Sequence, residues 1–173
     1  MFKRFCFIIL ILFYWIISMG VQSDNKEYNL KAAFIYNFTR FIEWDTLNNH
    51  NEFVIGVINS SPITKAFEDI ARTKTVNNKK IIIRHFYTAE EISYCNILFI
   101  SENSKISLRE ILNQTKSKNT LTISEQEGYA KQGTAINFII VDSKLKFEAN
   151  TKAIISAGLT ASSQLLKLAV IVE

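Results

Sequence analysis

Few side chains in this sequence stand at spacings that chemistry needs. The two histidines, His50 and His85, fall in a polar stretch and in a strand-like apolar run. Neither has a metal-ligand spacing to another histidine, a cysteine or a carboxylate. Cys95 with His85 would make a nucleophile and a base, but no oxyanion or orienting motif accompanies them. There is no G-x-S-x-G elbow. Gly56 lies inside FVIGVI and opens neither a GxGxxG nor a GxxxxGK phosphate loop. The adjacent acids Glu68-Asp69 and Glu90-Glu91 point in different directions along a helix and read as solvated surface. No catalytic, cofactor-binding or metal-ligating residue is assigned, and no cofactor is implied.

Cysteine and charge narrow the setting. Met1–Gly20 reads as a secretory signal peptide: Lys3 and Arg4 precede the apolar run Phe5–Ile17, and Ser18-Met19-Gly20 supplies small residues for cleavage. The alternative is an N-terminal anchor in the inner membrane, although the apolar run is short of the roughly 20 residues a span needs. Cleavage removes Cys6 and two basic residues, lowering the formal net charge from +4 to +2. Cys95 is then alone, so no internal disulfide forms. It heads the strand-like CNILFI and reads as a small buried residue. No basic stripe with interleaved aromatics runs along the mature chain, which together with export argues against nucleic acid as a partner. The rest, 21–173, suits one α/β domain.

The elements that would position any site follow from periodicity. Leu30, Ala33, Phe34, Asn37, Phe38, Phe41 and Ile42 recur at helical spacing, which predicts a helix over Tyr28–Trp44 with that stripe buried. Lys31 falls off the stripe. Phe53–Ile58 predicts a strand buried on both faces, and Ser61 with Pro62 predicts the start of a helix to Arg72. Strands follow at Lys80–Phe86 and Asn96–Ser101, with a short helical turn capped by Thr88 between them. A helix over Lys105–Lys116, capped by Ser104, leads to a strand at Thr120–Ser124. Thr134–Val141 and Lys144–Glu148 pair as a hairpin through Asp142-Ser143, the second strand at an edge with one wet face. Asn150 or Thr151 caps a helix ending at Gly158, and Ser162 caps a last helix through Leu168. The order predicts a mixed, mostly parallel sheet flanked by helices, α/β/α sandwich-like, with a C-terminal antiparallel hairpin.

Several blocks, in order across nearly the whole mature chain, resemble the YfiR family of exported bacterial regulators. They are LKAAFIYNF (30–38) with Phe41 and Glu43-Trp44, CNILFIS (95–101), LTIS (121–124), Gly133 with Ile136-Asn137-Phe138, KFEAN (146–150), and Gly158-Leu159 through Ser163–Ala169. Asp45 stands where the family often has proline, and Gln132-Gly133 where a Gly-Gly pair is usual. Disulfide-based redox control, known in the family, does not carry over to a chain whose mature part has one cysteine.

The resemblance implies a non-catalytic periplasmic protein that binds the periplasmic domain of an inner-membrane signalling protein, a diguanylate cyclase or histidine kinase. It also implies sequestration by an outer-membrane-associated lipoprotein, and homodimers. Binding one state of the receptor would shift its output across the membrane. The residues expected at the contact are Tyr129, Val141 and Phe147, near or on the hairpin, and Leu159 beyond the Gly158 turn. A second reading is a periplasmic small-molecule binder or sensor with a crevice at the carboxyl ends of the parallel strands.

Overall fold

A computed structural model describes residues 25–44 and 50–172. The expected signal peptide and the polar stretch 45–49 lie outside the described residues. Eight strands form the main sheet: β2 (Glu52–Ile58), β3 (Thr75–Val76), β4 (Lys79–Phe86), β5 (Ile97–Ile100), β6 (Leu121–Ser124), β7 (Ile136–Val141), β8 (Lys144–Asn150) and β10 (Val170–Val172). Their spatial order is β10-β8-β7-β6-β5-β2-β4-β3. Every junction is parallel except the hairpins β3–β4 and β7–β8. The sheet is therefore mostly parallel, with an antiparallel hairpin toward the C-terminus, as the sequence predicts. A second small sheet pairs β1 (Ile42–Trp44) with β9 (Leu159–Ala161).

Helices cover both faces. On one face α1 (25–38), α2 (Ile63–Thr73), α4 (Thr151–Ser156) and α5 (Ser163–Leu168) close over Phe53, Val57, Phe99, Ile123, Phe138 and Phe147. On the other, α3 (Leu108–Thr115) and the turns around Ala89–Tyr94 close over Val54, Ile58, Leu98 and Ile100. Strand β2 sits between β4 and β5 and buries both faces, which is why FVIGVI lacks alternation. Gly56 has no room for a side chain: a Cβ would lie 2.7 Å from the Phe86 ring and 2.9 Å from Leu98 Cδ1.

The first helix departs from its expected course in length and in phase. It stops at residue 38, and i→i+3 bonds such as Arg40 N to Asn37 O wind the chain out of it. Thr39 Oγ1 donates to Tyr36 O at 2.6 Å and so competes for a helical carbonyl. Ile42–Trp44 then extend to pair with β9, Trp44 opposite Leu159. The Trp44 indole N–H donates to Asn96 O at 3.1 Å, a partner that the extended chain reaches. The buried stripe is Lys31, Ala32, Ile35 and Phe38, while Leu30, Ala33 and Asn37 face outward. The register is thus turned about one residue from the one that hydrophobicity suggests, because a lysine occupies the inner face.

Smaller differences have local causes. Helix α3 starts at Leu108, where Ser107 and Glu110 form a reciprocal capping box, and Ser104 instead closes a turn with Ile106. Pro62, not Ser61, is the N-cap of α2. Near Thr88 there is a bend in which the Glu91 carboxylate accepts from Tyr87 N at 2.7 Å, rather than a capped helical turn. Strand β8 is not a free edge at its C-terminal end, since β10 pairs with Glu148–Asn150. The hairpin turn is as expected, with φ of 51° at Asp142 and 58° at Ser143, the type I′ signature. The caps at Asn150 and Ser162 are also as expected.

Candidate functional site

Helices α1 and α2 run against the strands, so their N-termini lie at the carboxyl end of the sheet. There α1 meets the segment after β6. Lys31 Nζ lies 2.7 Å from Glu125 Oε2 and 2.6 Å from Glu27 Oε1. Both Lys31 and Glu125 side chains are almost fully withdrawn from solvent. Glu125 also accepts from the Glu102 backbone N–H at 3.2 Å, which ties the ends of β5 and β6 to α1. Burial alone would lower the Lys31 pKa, but hydrogen bonds to Glu125 and Glu27 outweigh it and raise it above the ordinary lysine value. Beside it, burial and the Glu125 charge push the Tyr28 phenol up to about 12.

This ion pair forms one wall of an open groove of about 440 Å³ between α1 and the β7–β8 hairpin. The hairpin supplies Phe138, Ile140 and Leu145, and Glu27, Glu102, Glu125, Glu127 and Glu148 line the rest. Among the described lining residues Lys31 is the one cation, and two of these carboxylates already hold it. No group of described His, Cys, Asp or Glu residues is arranged to hold a metal ion. The apolar wall continues the core. Phe34 packs edge-on against Phe138 and Phe147, with ring centroids 6.3 Å apart in both pairs. Ile140 shares the face of Phe138 two residues on and stands 59 % exposed.

Behind the hairpin a buried polar chain fixes its position on the sheet. Ser124 Oγ donates to Asn137 Oδ1 at 2.7 Å and lies 2.8 Å from Thr134 Oγ1. Since the serine proton is used on Asn137, the threonine hydroxyl is the donor in the second bond. Asn137 Nδ2 then donates to Glu148 Oε2 at 3.1 Å across the hairpin. Asn150 Nδ2 donates to Ala130 O, fastening the 125–133 segment beside it. Of these residues, Ser124, Asn137, Glu148 and Asn150 fall within the LTIS, INF and KFEAN blocks.

The residues expected at a partner contact do not share one surface. Val141 is half-buried at the tip of β7, and Tyr129 is half-buried against the second core. Phe147 and Leu159 are core residues, each 3 % exposed, and offer a partner no side-chain surface. Phe147 lies under α1 with its ring 4.9 Å from that of Phe38, and Leu159 pairs with Trp44. Alternation along β8 was readable, but whether its apolar face lay beneath a helix was not. No local pattern marks Ile140, Leu145 and the surrounding carboxylates, because four separate segments bring them together.

The residues with chemical potential also separate. Cys95 is wholly buried in the second core, and burial pushes its thiol up to about 12. His85 alternates with Phe86 and so faces away from Cys95, its Nδ1 3.3 Å from Asn59 O. His50 stacks on Tyr94, with centroids 3.8 Å apart.

A family model described as YfiR/HmsC-like matches residues 28–170. The chain belongs to that family. Its members are periplasmic regulators of signalling, a non-catalytic class. No curated protein matches the sequence. Among solved structures the chain is similar to the ABC domain in complex with L-Trp from Streptococcus pneumonia, with a TM-score of 0.51 and 14 % identity. That similarity covers 71 % of this chain and 56 % of the other, and it shows the fold alone. In this YfiR/HmsC-like chain the blocks that carry the resemblance fall on α1, β1, β5, β6, the β7–β8 hairpin, β9 and α5. Among the described residues no helix is long and apolar enough to cross a membrane.

Proposed function

We propose that this YfiR/HmsC-like protein is exported and binds the periplasmic domain of an inner-membrane signalling receptor, of diguanylate cyclase or histidine kinase type. Preference for one receptor state shifts the signalling output by its difference in affinity for the two states. No bond is made or broken. In the same reading an outer-membrane-associated lipoprotein competes for the protein, and two copies can pair.

The observation that carries the reading is Ile140, an exposed branched side chain on the wall of an open groove in a family of signalling regulators. Apolar side chains clustered beside a polar rim favour a protein partner. The contact then centres on Ile140 and Leu145, with Val141 at its margin. Tyr129 supports the 125–133 segment from the other face of the sheet, and Phe147 holds the wall from within.

In-cell crosslinking followed by capture of the protein tests this. A membrane receptor with a periplasmic domain in the eluate, lost when Ile140 is replaced by Asp, is the expected result. Recovery of soluble proteins alone, or a receptor captured equally by the variant, would sink it.

A further inference from the structure

Strand β7 runs on past one of its neighbours. Its pairing with β6 ends at Ser124 opposite Asn137, whereas its pairing with β8 continues to Val141 opposite Lys144. Phe138–Val141 therefore have no strand beside them on the β6 side. One bond settles which way their peptide groups point. Ala135 O accepts from Asn150 N at 2.9 Å, on the β8 side. The Ile136 N–H lies trans across that peptide bond and so points toward β6. Ladder groups alternate in direction along a strand, so the N–H and C=O of Ile140 point the same way. Beyond the end of β6 they meet no strand, and no backbone bond outside the ladders takes them among the described residues.

The groove between α1 and the hairpin lies along this edge. Phe138, Ile139 and Ile140 all line it, although successive side chains of a strand point to opposite faces. A groove that meets three residues in a row runs beside the main chain rather than over one face. Its charge is also distinctive. The whole chain has a formal charge of +4, yet the groove's five carboxylates and one lysine leave four formal negative charges. Glu27 and Glu125 hold that lysine, and none of Glu102, Glu127 and Glu148 forms an ion pair with a described residue. Lys144 and Lys146 lie on the opposite face of β8 from Leu145.

We propose that the receptor enters this groove as an added β-strand: an extended segment carrying lysine or arginine beside an apolar residue pairs with the open edge of β7. The segment takes the place where β6 would continue and exchanges main-chain hydrogen bonds with Ile140. Its apolar side chain packs on that of Ile140, and its cationic side chains meet Glu102, Glu127 and Glu148. The main-chain bonds hold any extended segment, whereas the carboxylates select one that is basic. This inference rests on the receptor reading and names the part of the receptor that the groove takes.

Two measurements test it. In the purified protein, amide hydrogen exchange followed by nitrogen-15 spectra should find the Ile140 N–H exchanging fast and the Ile139 N–H, which faces β8, protected. A protected Ile140 amide in the free protein means a closed edge and overturns the proposal. In-cell crosslinking then compares the parent with Ile140→Ala, which keeps the N–H, and Ile140→Pro, which loses it where β8 makes no use of it. Proline should capture the receptor about tenfold less than alanine, the loss of one main-chain bond. Glu102→Lys/Glu127→Lys, changed at two exposed positions, should also lose capture, and it decides the matter if urea unfolding shows the proline variant unfolded. If the parent captures a receptor but a folded proline variant matches alanine, or the charge-reversed variant matches the parent, strand addition fails and the receptor reading stands. If the parent captures no receptor, or only a second copy of this chain, both fail.

Discussion

Lys31 and Glu125, 94 residues apart in the chain, meet at 2.7 Å with both side chains almost out of reach of water. Removing one partner of such a pair strands the other charge. Lys31→Met should lower stability by about 3–5 kcal/mol, and the double variant Lys31→Met/Glu125→Leu should recover most of that loss. Urea unfolding of the parent, both single variants and the double variant measures the coupling. Equal loss in the single and double variants would show that the pair is not what holds α1 to β6.

The same pair sets an alkaline limit. The Lys31 pKa is raised above 10.5 and that of Tyr28 is raised from 10.0 to about 12. In both cases the folded state keeps a proton that the unfolded chain releases first, so stability is full below pH 10 and falls as pH rises through the folded values. Denaturation midpoints should hold steady from neutrality to about pH 10 and then decline. Ultraviolet titration should find one tyrosine ionising near 12. A tyrosinate rise complete by pH 11 in the folded protein contradicts this.

Cys95 should be inert while the protein is folded. It is wholly buried, and burial pushes its thiol up to about 12, far from the pH at which thiolates react. In a Cys6→Ser chain, which leaves Cys95 as the single thiol, a chromogenic disulfide reagent at pH 8 should find no reactive group until urea is added, and one afterwards. Rapid labelling without denaturant would restore a reactive role to this cysteine.

The general architecture was legible because strand periodicity, turn chemistry and caps are local. Asp142-Ser143, Asn150, Gly158 and Ser162 each did what their residue types favour. What sequence concealed was set by distant partners. Lys31 reads as a surface residue until Glu125 is placed opposite it, and its charge rotates the apparent apolar stripe of α1 by about one position. Trp44 reads as a helix end until the Asn96 carbonyl and β9 are in place. The groove was not legible because its carboxylates come from α1 and the ends of β5, β6 and β8. One signal was present: Tyr28, Lys31, Ala32, Ile35 and Phe38 form a second helical stripe if a lysine is allowed within it.

Phe38 and Ile140 separate the structural from the recognition role of the first helix and the hairpin. Phe38 is 2 % exposed and its ring meets those of Phe34, Phe138 and Phe147, the last at 4.9 Å. Phe38→Ala removes a ring from the centre of that cluster and should cost about 3–5 kcal/mol. Ile140 is 59 % exposed, so Ile140→Asp loses little packing and should change stability by less than about 0.5 kcal/mol. If the groove receives the receptor, the order reverses in crosslinking: Ile140→Asp should reduce receptor capture about tenfold or more, because the charge is desolvated at the contact. Phe38→Ala, assayed at a temperature where it remains folded, should capture the receptor nearly as well as the parent. Loss of capture in Phe38→Ala but not in Ile140→Asp would move the contact from the hairpin wall to the helix.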